Sequence, residues 1–218
     1  MMEENNRKGP GVFYAVMGVA TLVVAIIGAT FAFFSATATP DTSITGTTAE
    51  VKALELSVNP VASPTQLLVP QGKAGLNTAM KNSTPCVDGN GNGVCKVYEI
   101  IVTNSGTAAI DSVGTLALTE ADGSTFTNLK WALVTGVTGN KTDGYVLTSA
   151  SAGDANDMSD TSIENPVIAA GTSKTYYVVI WIENLNENQS AQDKGTFNGT
   201  VKFEGVDGDI QVSSTFTA

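Results

Sequence analysis

The sequence predicts an all-β protein, an antiparallel two-sheet β-sandwich of jelly-roll or Ig-like type, preceded by one N-terminal transmembrane or signal helix. About eight segments rich in β-branched and aromatic residues follow residue 50, with turn-forming residues between them and no convincing amphipathic helix among them. Before them lies an apolar run at residues 11–34 that carries no charge. We therefore divide the chain at residues 10, 34 and 50, and expect the extracellular sandwich domain to span 51–218.

The apolar run at 11–34 has 24 residues, enough to cross the hydrocarbon core of a bilayer as a helix. Arg7 and Lys8 directly precede it, and the first charge after it is Asp41. By the positive-inside rule we expect residues 1–10 in the cytoplasm and the sandwich outside the cell or at its surface.

Cleavage of this run as a signal peptide is one of two outcomes that the sequence leaves open. Small residues stand at the −3 and −1 positions of two sites, which would be cut after Ala32 or after Ala38. If neither is used, the run remains as a membrane anchor. Residues 35–50 (SATATPDTSITGTTAE) are small and polar without an apolar period, which is typical of an extended linker or arm.

Strand signals dominate the chain after residue 50. The strongest is Thr175–Glu183 (TYYVVIWIE), which is apolar on both faces and is therefore expected at the centre of a sheet. Trp131 and Trp181 lie within such segments, and we expect both in the core. The other candidates are Val51–Val58, Val97–Thr103, Val113–Thr119, Leu129–Val134, Tyr145–Thr148, Phe197–Glu204 and Ile210–Phe216.

Composition excludes several classes of function. The chain has 11 Lys+Arg against 21 Asp+Glu, a net charge of -10, whereas binding to nucleic-acid phosphates needs clustered cations. It contains no histidine, which excludes Ser-His-Asp and Cys-His nucleophiles and zinc sites that use histidine. We therefore expect neither nucleic-acid binding nor enzymatic activity, and no cofactor other than the calcium ion considered below.

Two cysteines, Cys86 and Cys95, flank a Gly/Asn-rich turn and are nine positions apart. In an extracellular protein such a pair is expected to form a disulfide. The turn is short enough to bring the two Cα atoms to the separation that a disulfide requires.

The same stretch fits the calcium-loop pattern D-x-[DN]-x-[DN]-G-x₅-E. In that pattern the ligands would be Asp88, Asn90, Asn92, the carbonyl of Val94 and Glu99. The segment before the loop is not helical in character, however, and Glu99 lies in a β-prone run. Two interpretations therefore remain: a Ca²⁺ site, or a disulfide-closed hairpin turn without a bound metal ion.

Two regions of the chain resemble a known family. Gly28–Ser35 (GATFAFFS) resembles the junction of the SipW-dependent signal peptides carried by the TasA/camelysin family of biofilm matrix proteins, although Ala36 stands where that family commonly has an acidic residue. Tyr177–Asn184 (YVVIWIEN), the Asn188-Gln189 pair and Lys194–Val201 (KGTFNGTV) resemble the C-terminal strand pair of such proteins.

The resemblance implies a secreted jelly-roll subunit that polymerises with copies of itself into fibres. In this family an N-terminal segment is donated as a strand to the next subunit, and residues 33–50 are the segment that fits this role here. Camelysin-type proteins have been described as metallopeptidases, but this chain has no H-E-x-x-H motif and no histidine to ligate zinc.

Two other functions remain as alternatives. One is a membrane-anchored β-sandwich that never polymerises and acts in adhesion or binds cell-surface components, with residues 11–34 in the membrane. The other is an archaeal-type pilin with a class III signal cut after Gly9, in which the apolar helix is kept as the filament core. The mature N-terminus separates the three: Phe33 or Thr39 for the fibre subunit, Pro10 for the pilin, and no cut for the anchored protein.

Overall fold

The computed structural model describes residues 50–121, 123–192 and 195–217, together with Met17 and Thr21, which are helical. The chain divides into two compact units, residues 1–48 and 49–218. The expected span at 11–34, apart from Met17 and Thr21, and the expected cleavage sites after Ala32 and Ala38 lie outside the described residues. Within the described part of the chain, no helix combines the length and the apolar character needed to cross a membrane.

The unit that ends at residue 218 consists mainly of antiparallel β-strands, which confirms the predicted all-β class. The strands are β1 (Leu54–Ala62), β2 (Lys96–Asn104), β3 (Ile110–Glu120), β4 (Leu129–Thr135), β5 (Thr138–Asn140), β6 (Gly144–Val146), β7 (Ser151–Ala152), β8 (Asn156–Asp157), β9 (Ser162–Glu164), β10 (Val167–Ile168), β11 (Ser173–Ile182), β12 (Phe197–Gly205) and β13 (Gln211–Thr217). One helix, α1 (Lys73–Met80), and a 3-10 turn (Ser190–Gln192) accompany them.

These strands form two main sheets and one hairpin. The first sheet has the order β1-β2-β11-β4-β7, with β8 also paired to β4, and the second has the order β10-β3-β12-β13, with β9 also paired to β3. Strands β5 and β6 pair only with each other within the described residues. Strand β11 lies between β2 and β4, at the centre of the first sheet as its doubly apolar sequence predicted.

The main core lies between the two sheets. Alternate residues of β11 (Val178, Ile180 and Ile182) face residues of β12 such as Val201 and Phe203, and all five are buried. Trp131 of β4 is buried in the same core, as predicted. The sheets are thus the two layers of a sandwich, because each contributes one apolar face to a shared interior.

A second apolar cluster covers the outer face of the first sheet. Trp181 is fully buried there, next to Val179 and the two cysteines. Helix α1 supplies Leu76, Ala79 and Met80 to this cluster. The sequence did not predict α1. It forms because a sheet that is apolar on both faces needs a second cover, and the spacing i, i+3, i+4 places these three side chains on one helical face.

Candidate functional site

The predicted disulfide between Cys86 and Cys95 is confirmed. The Cα atoms of the two residues are 5.0 Å apart, and both side chains are fully buried in the outer cluster of the first sheet. The backbone N–H of Val94 donates to the carbonyl of Cys86 at 2.9 Å, which closes the turn from within. The loop is therefore held by a covalent bond, a hydrogen bond and apolar packing.

Asp88 organises the tip of this loop. Its Oδ1 accepts hydrogen bonds from the backbone N–H groups of Asn90 (2.9 Å) and Asn92 (2.8 Å), and its Oδ2 accepts one from Asn92 Nδ2 (3.1 Å). These donors, chiefly those of Asn92, hold the pKa of the Asp88 carboxyl below its usual value. The carboxylate therefore satisfies the donors of its own turn, as aspartate commonly does in Asx-turns.

Glu99, the last residue of the calcium pattern, has a different set of partners. It lies on β2, is only 2% exposed, and faces the outer side of the first sheet. Its Oε2 accepts hydrogen bonds from Tyr145 Oη (2.8 Å) and Asn59 Nδ2 (3.2 Å), and its Oε1 accepts one from Tyr177 Oη (3.2 Å). We call Glu99 and these three residues the Glu99 cluster.

The structure thus holds Asp88 and Glu99 in separate hydrogen-bond networks. In residues 50–121, 123–192 and 195–217, no three His, Cys, Asp or Glu side chains lie together so that they could hold a metal ion. The amide side chains of Asn90 and Asn92 and the Val94 carbonyl would then have to supply most of the oxygens that calcium needs. Calcium binding at this loop stays a prediction.

The Glu99 cluster ties the β5–β6 hairpin to the first sheet. Tyr145 belongs to β6 and Tyr177 to β11, and their rings meet edge-to-face with centroids 6.4 Å apart. Lys141, in the turn of the hairpin, donates from Nζ to Asn59 Oδ1 at 3.2 Å. Each oxygen of the buried carboxylate has a donor, so the cluster acts as a polar cross-link between two elements.

Burial and the neighbouring Glu99 together raise the pKa values of both tyrosines. Burial, the hydrogen bond to Glu99 and its negative charge all raise the pKa of Tyr145. Burial followed by the charge of Glu99 and the hydrogen bond to it raises the pKa of Tyr177. Sequence reasoning missed both tyrosines and Asn59. The one available signal was an acidic residue inside an otherwise apolar strand segment, which implies buried donors around it.

The motif that resembles the family's C-terminal strand pair forms a self-contained loop. Trp181 Nε1 donates to Glu183 Oε2 at 2.7 Å, which pairs the buried indole with a carboxylate at the end of β11. Gln189 Nε2 donates to the carbonyl of Glu183 at 2.9 Å, and Asn128 Nδ2 donates to the same carbonyl. The Asn188 side chain accepts from the backbone N–H of Ser190 at 3.0 Å. The W-I-E and N-Q residues therefore have structural roles in this chain.

The likenesses of this chain to known proteins are distant. No family model and no curated protein matches the chain. A FixG-related protein from Vibrio parahaemolyticus has a TM-score of 0.35 and 8% identity over 77% of this chain and 95% of its own. AvmM, which catalyses macrocyclization in alchivemycin A biosynthesis, has a TM-score of 0.32 and 10% identity over 74% of this chain and 87% of its own. At these scores neither likeness indicates a fold family or a function.

Proposed function

We propose that this chain is a secreted or surface-displayed structural subunit of the TasA type, which assembles outside the cell through a donated N-terminal strand. The observation that carries the proposal is the edge strand of the second sheet, β13 (Gln211–Thr217), whose outer side is hydrogen-bonded to none of the described strands, although β1 of the first sheet lies near it. The resemblance of Gly28–Ser35 to SipW-dependent signals supports it independently. The proposal includes no enzymatic activity and no cofactor.

Strand β13 has the properties of an acceptor edge. It pairs with β12 on one side, and none of the described residues pairs with its other side. Its sequence, QVSSTFT, contains neither a charge nor a proline, the two residue classes that most often protect an edge. Edge strand β1 of the first sheet contains Glu55 and Pro60, so β13 is the better template for strand addition.

The donor in this proposal is residues 33–50 of a neighbouring subunit, released when the apolar segment at 11–34 is cut as a signal. The sandwich would then be of jelly-roll type. In support, its pairings include three between strands distant in sequence: β11 with β2, β11 with β4, and β12 with β3. Such crossovers are common to jelly-roll and Ig-like sandwiches.

Electron microscopy of two fragments tests the donor strand. We expect filaments from residues 39–218 and none from 51–218, because only the longer fragment keeps the arm. Filaments from both fragments would show that the arm is not needed, and filaments from neither would favour the anchored monomer.

A matched pair of variants tests the acceptor edge. Thr215 of β13 and Thr200 of β12 are register partners on one face of the sheet, and both are exposed. In the 39–218 fragment, Thr215→Lys places a charge beside the open edge and should suppress filaments. Thr200→Lys adds the same charge on an interior strand and should not. Equal effects of the two substitutions would indicate that β13 is not the acceptor.

N-terminal sequencing of the native protein distinguishes the fibre subunit from the two alternatives, the non-polymerising anchored protein and the pilin. A mature start at Phe33 or Thr39 supports the fibre subunit. An uncut chain supports the anchored protein, and a start at Pro10 supports the pilin.

A further inference from the structure

A cavity of about 120 Å³ opens where β11 ends and β12 begins. A water molecule needs roughly 10–15 Å³ of cavity volume, so this cavity has room for a small organic group. Its apolar wall includes Leu68, Ile182, Phe126 and Phe197. The two phenylalanine rings meet edge-to-face with centroids 6.1 Å apart, and both residues are buried.

Lys96 supplies a cation to the wall of this cavity. It is the first residue of β2, and the two-residue alternation places it on the same face as Tyr98 and Ile100, which belong to the core between the sheets. Burial lowers the pKa of its ammonium group. Among the described residues the ammonium has neither a salt bridge nor a hydrogen-bond partner. A half-buried cation in this setting favours an anion from outside the fold.

Gln192 supplies the second polar group. It is 6% exposed, lines the same cavity, and belongs to the 3-10 turn. Its Nε2 donates to Thr127 Oγ1 at 3.4 Å, while its Oε1 is buried and accepts no hydrogen bond within the described part of the chain. A buried carbonyl oxygen without a donor is unfavourable unless a bound group donates to it.

We propose that this cavity binds the carboxyl-terminal end of a peptide. The terminal carboxylate pairs with Lys96 Nζ, the N–H of the last peptide bond donates to Gln192 Oε1, and an apolar terminal side chain packs against Phe126 and Phe197. A peptide end combines an anion, an adjacent N–H and a side chain within a few bonds, which matches the three features of the cavity. An inorganic anion would satisfy Lys96 alone.

A second depression gives the preceding peptide residues a place to lie. It has a volume of about 480 Å³ and shares Leu68, Ile182 and Gln192 with the cavity. Asn184 lines its far part, and its side-chain Nδ2 donates to none of the described residues, so it is available to donate to a peptide carbonyl. This site is independent of the proposed fibre assembly.

Isothermal calorimetry on the full chain in detergent micelles tests the site. The probes are acetyl-Thr-Ala-Leu with a free carboxylate, the same peptide as its C-terminal amide, and sodium 4-methylvalerate, which keeps the carboxylate and the branched chain but lacks the N–H. We expect the free-carboxylate peptide to bind at least about tenfold more tightly than either of the others, because each lacks one polar contact. Equal binding of all three probes, or no binding by the free-carboxylate peptide, would overturn the proposal.

Variants assign the contacts. Lys96→Met should weaken binding of the free-carboxylate peptide about tenfold or more, whereas Lys174→Met, at an exposed lysine of β11, should leave it unchanged. Gln192→Met should weaken binding with little change in the thermal midpoint, since it removes a buried acceptor that has no partner in the free protein together with one long hydrogen bond, from Nε2 to Thr127 Oγ1. Unchanged binding in both Lys96→Met and Gln192→Met would rule out this cavity. If Lys96→Met does not fold, the comparison of peptide acid with peptide amide on the unaltered chain still decides.

Discussion

Glu99 is a buried carboxylate whose position depends on its donors. It is surrounded on β2 by Val97 and Ile101 on the same face, and without partners a carboxylate there would be strongly unfavourable. Two tyrosine hydroxyls and one amide N–H supply those partners. Removing one partner leaves the charge buried and less well satisfied, which costs more than the net value of the lost bond.

Tyr145→Phe tests this dependence. We expect the free energy of unfolding in urea to fall by about 1–3 kcal/mol, because Glu99 Oε2 loses its shortest hydrogen bond in the cluster while the ring packing is kept. Tyr176→Phe is the matched control. The pKa of Tyr176 is raised by burial and by Glu164, but its hydroxyl has no hydrogen bond of normal geometry in the described residues. A larger loss in Tyr176→Phe than in Tyr145→Phe would contradict the role given to the cluster.

The raised pKa values of Tyr145 and Tyr177 predict a pH dependence at the alkaline end. A tyrosine whose pKa is higher in the folded than in the unfolded state stabilises the fold fully below about pH 10, and this contribution is lost as the pH rises toward the folded value. The stability difference between the unaltered protein and Tyr145→Phe should therefore shrink between about pH 9 and 11.5. Urea titrations of both proteins across that range provide the measurement. A difference that is constant or grows would exclude the linkage.

At the residue scale, the sequence could predict the disulfide but not the partners of Glu99. Cys86 and Cys95 are close in sequence, so their pairing depends on one local turn. The cluster around Glu99 joins residues 40, 46 and 78 positions away from it in the chain. Those contacts depend on strand order and on the packing of the β5–β6 hairpin, neither of which a local spacing pattern contains.

At the scale of elements, glycine and phenylalanine pair across the strands of the second sheet. Gly114 of β3 is opposite Phe203 of β12, and Gly199 of β12 is opposite Phe216 of β13. A Cβ at Gly114 would lie 2.5 Å from Phe203 Cε1, and one at Gly199 would overlap Phe216 Cζ. The aromatic ring in each pair covers the glycine and fills the space that a side chain would otherwise occupy, which keeps the strands packed.

Gly114→Ala should destabilise the sandwich by about 1–3 kcal/mol, because the added Cβ would overlap the fully buried ring of Phe203 and would lie 3.0 Å from the backbone oxygen of Glu164. Gly89→Ala, in the disulfide loop, serves as the control, since a Cβ there meets nothing within 4 Å. Thermal and urea unfolding of the two variants measure the difference. Equal stability would show that the interior adapts to the added methyl group.

Elements with a long period-2 pattern could be predicted, and the others could not. Each of the eight predicted strand segments overlaps a strand of the structure, from β1 to β13. Strands β7, β8 and β10 have two residues each, too few to show alternation. Helix α1 has eight residues and includes Gly75, so its apolar spacing is short and its helix propensity weak. Tertiary cover of the first sheet, and not local preference, accounts for α1.

At the scale of the whole molecule, charge is expected to control assembly. The net charge is -10, and cleavage after Ala32 or Ala38 leaves it unchanged because Glu3 and Glu4 balance Arg7 and Lys8. Subunits that meet edge to edge would therefore repel one another over roughly 10 Å at 0.1 M salt, but only about 3 Å at 1 M. Strand β13 itself carries no charge, and the proposed strand addition uses backbone hydrogen bonds, which salt screens little.

The 39–218 fragment should accordingly form filaments faster and at lower protein concentration as ionic strength rises from about 0.01 to 1 M, because screening removes repulsion while leaving the backbone pairing intact. Light scattering gives the rate and electron microscopy identifies the product. Sodium chloride and potassium chloride at equal ionic strength should act alike, and the 51–218 fragment should not assemble at any salt concentration. Filaments that dissociate as sodium chloride is raised would contradict the charge-repulsion account, since attraction between charged surfaces would then be holding the subunits together.

Calcium chloride, compared with magnesium chloride at the same ionic strength, adds a direct test of the Asp88 loop. A change in the rate of filament formation that occurs with calcium, is absent with magnesium and is lost in Asp88→Ala would indicate a bound ion.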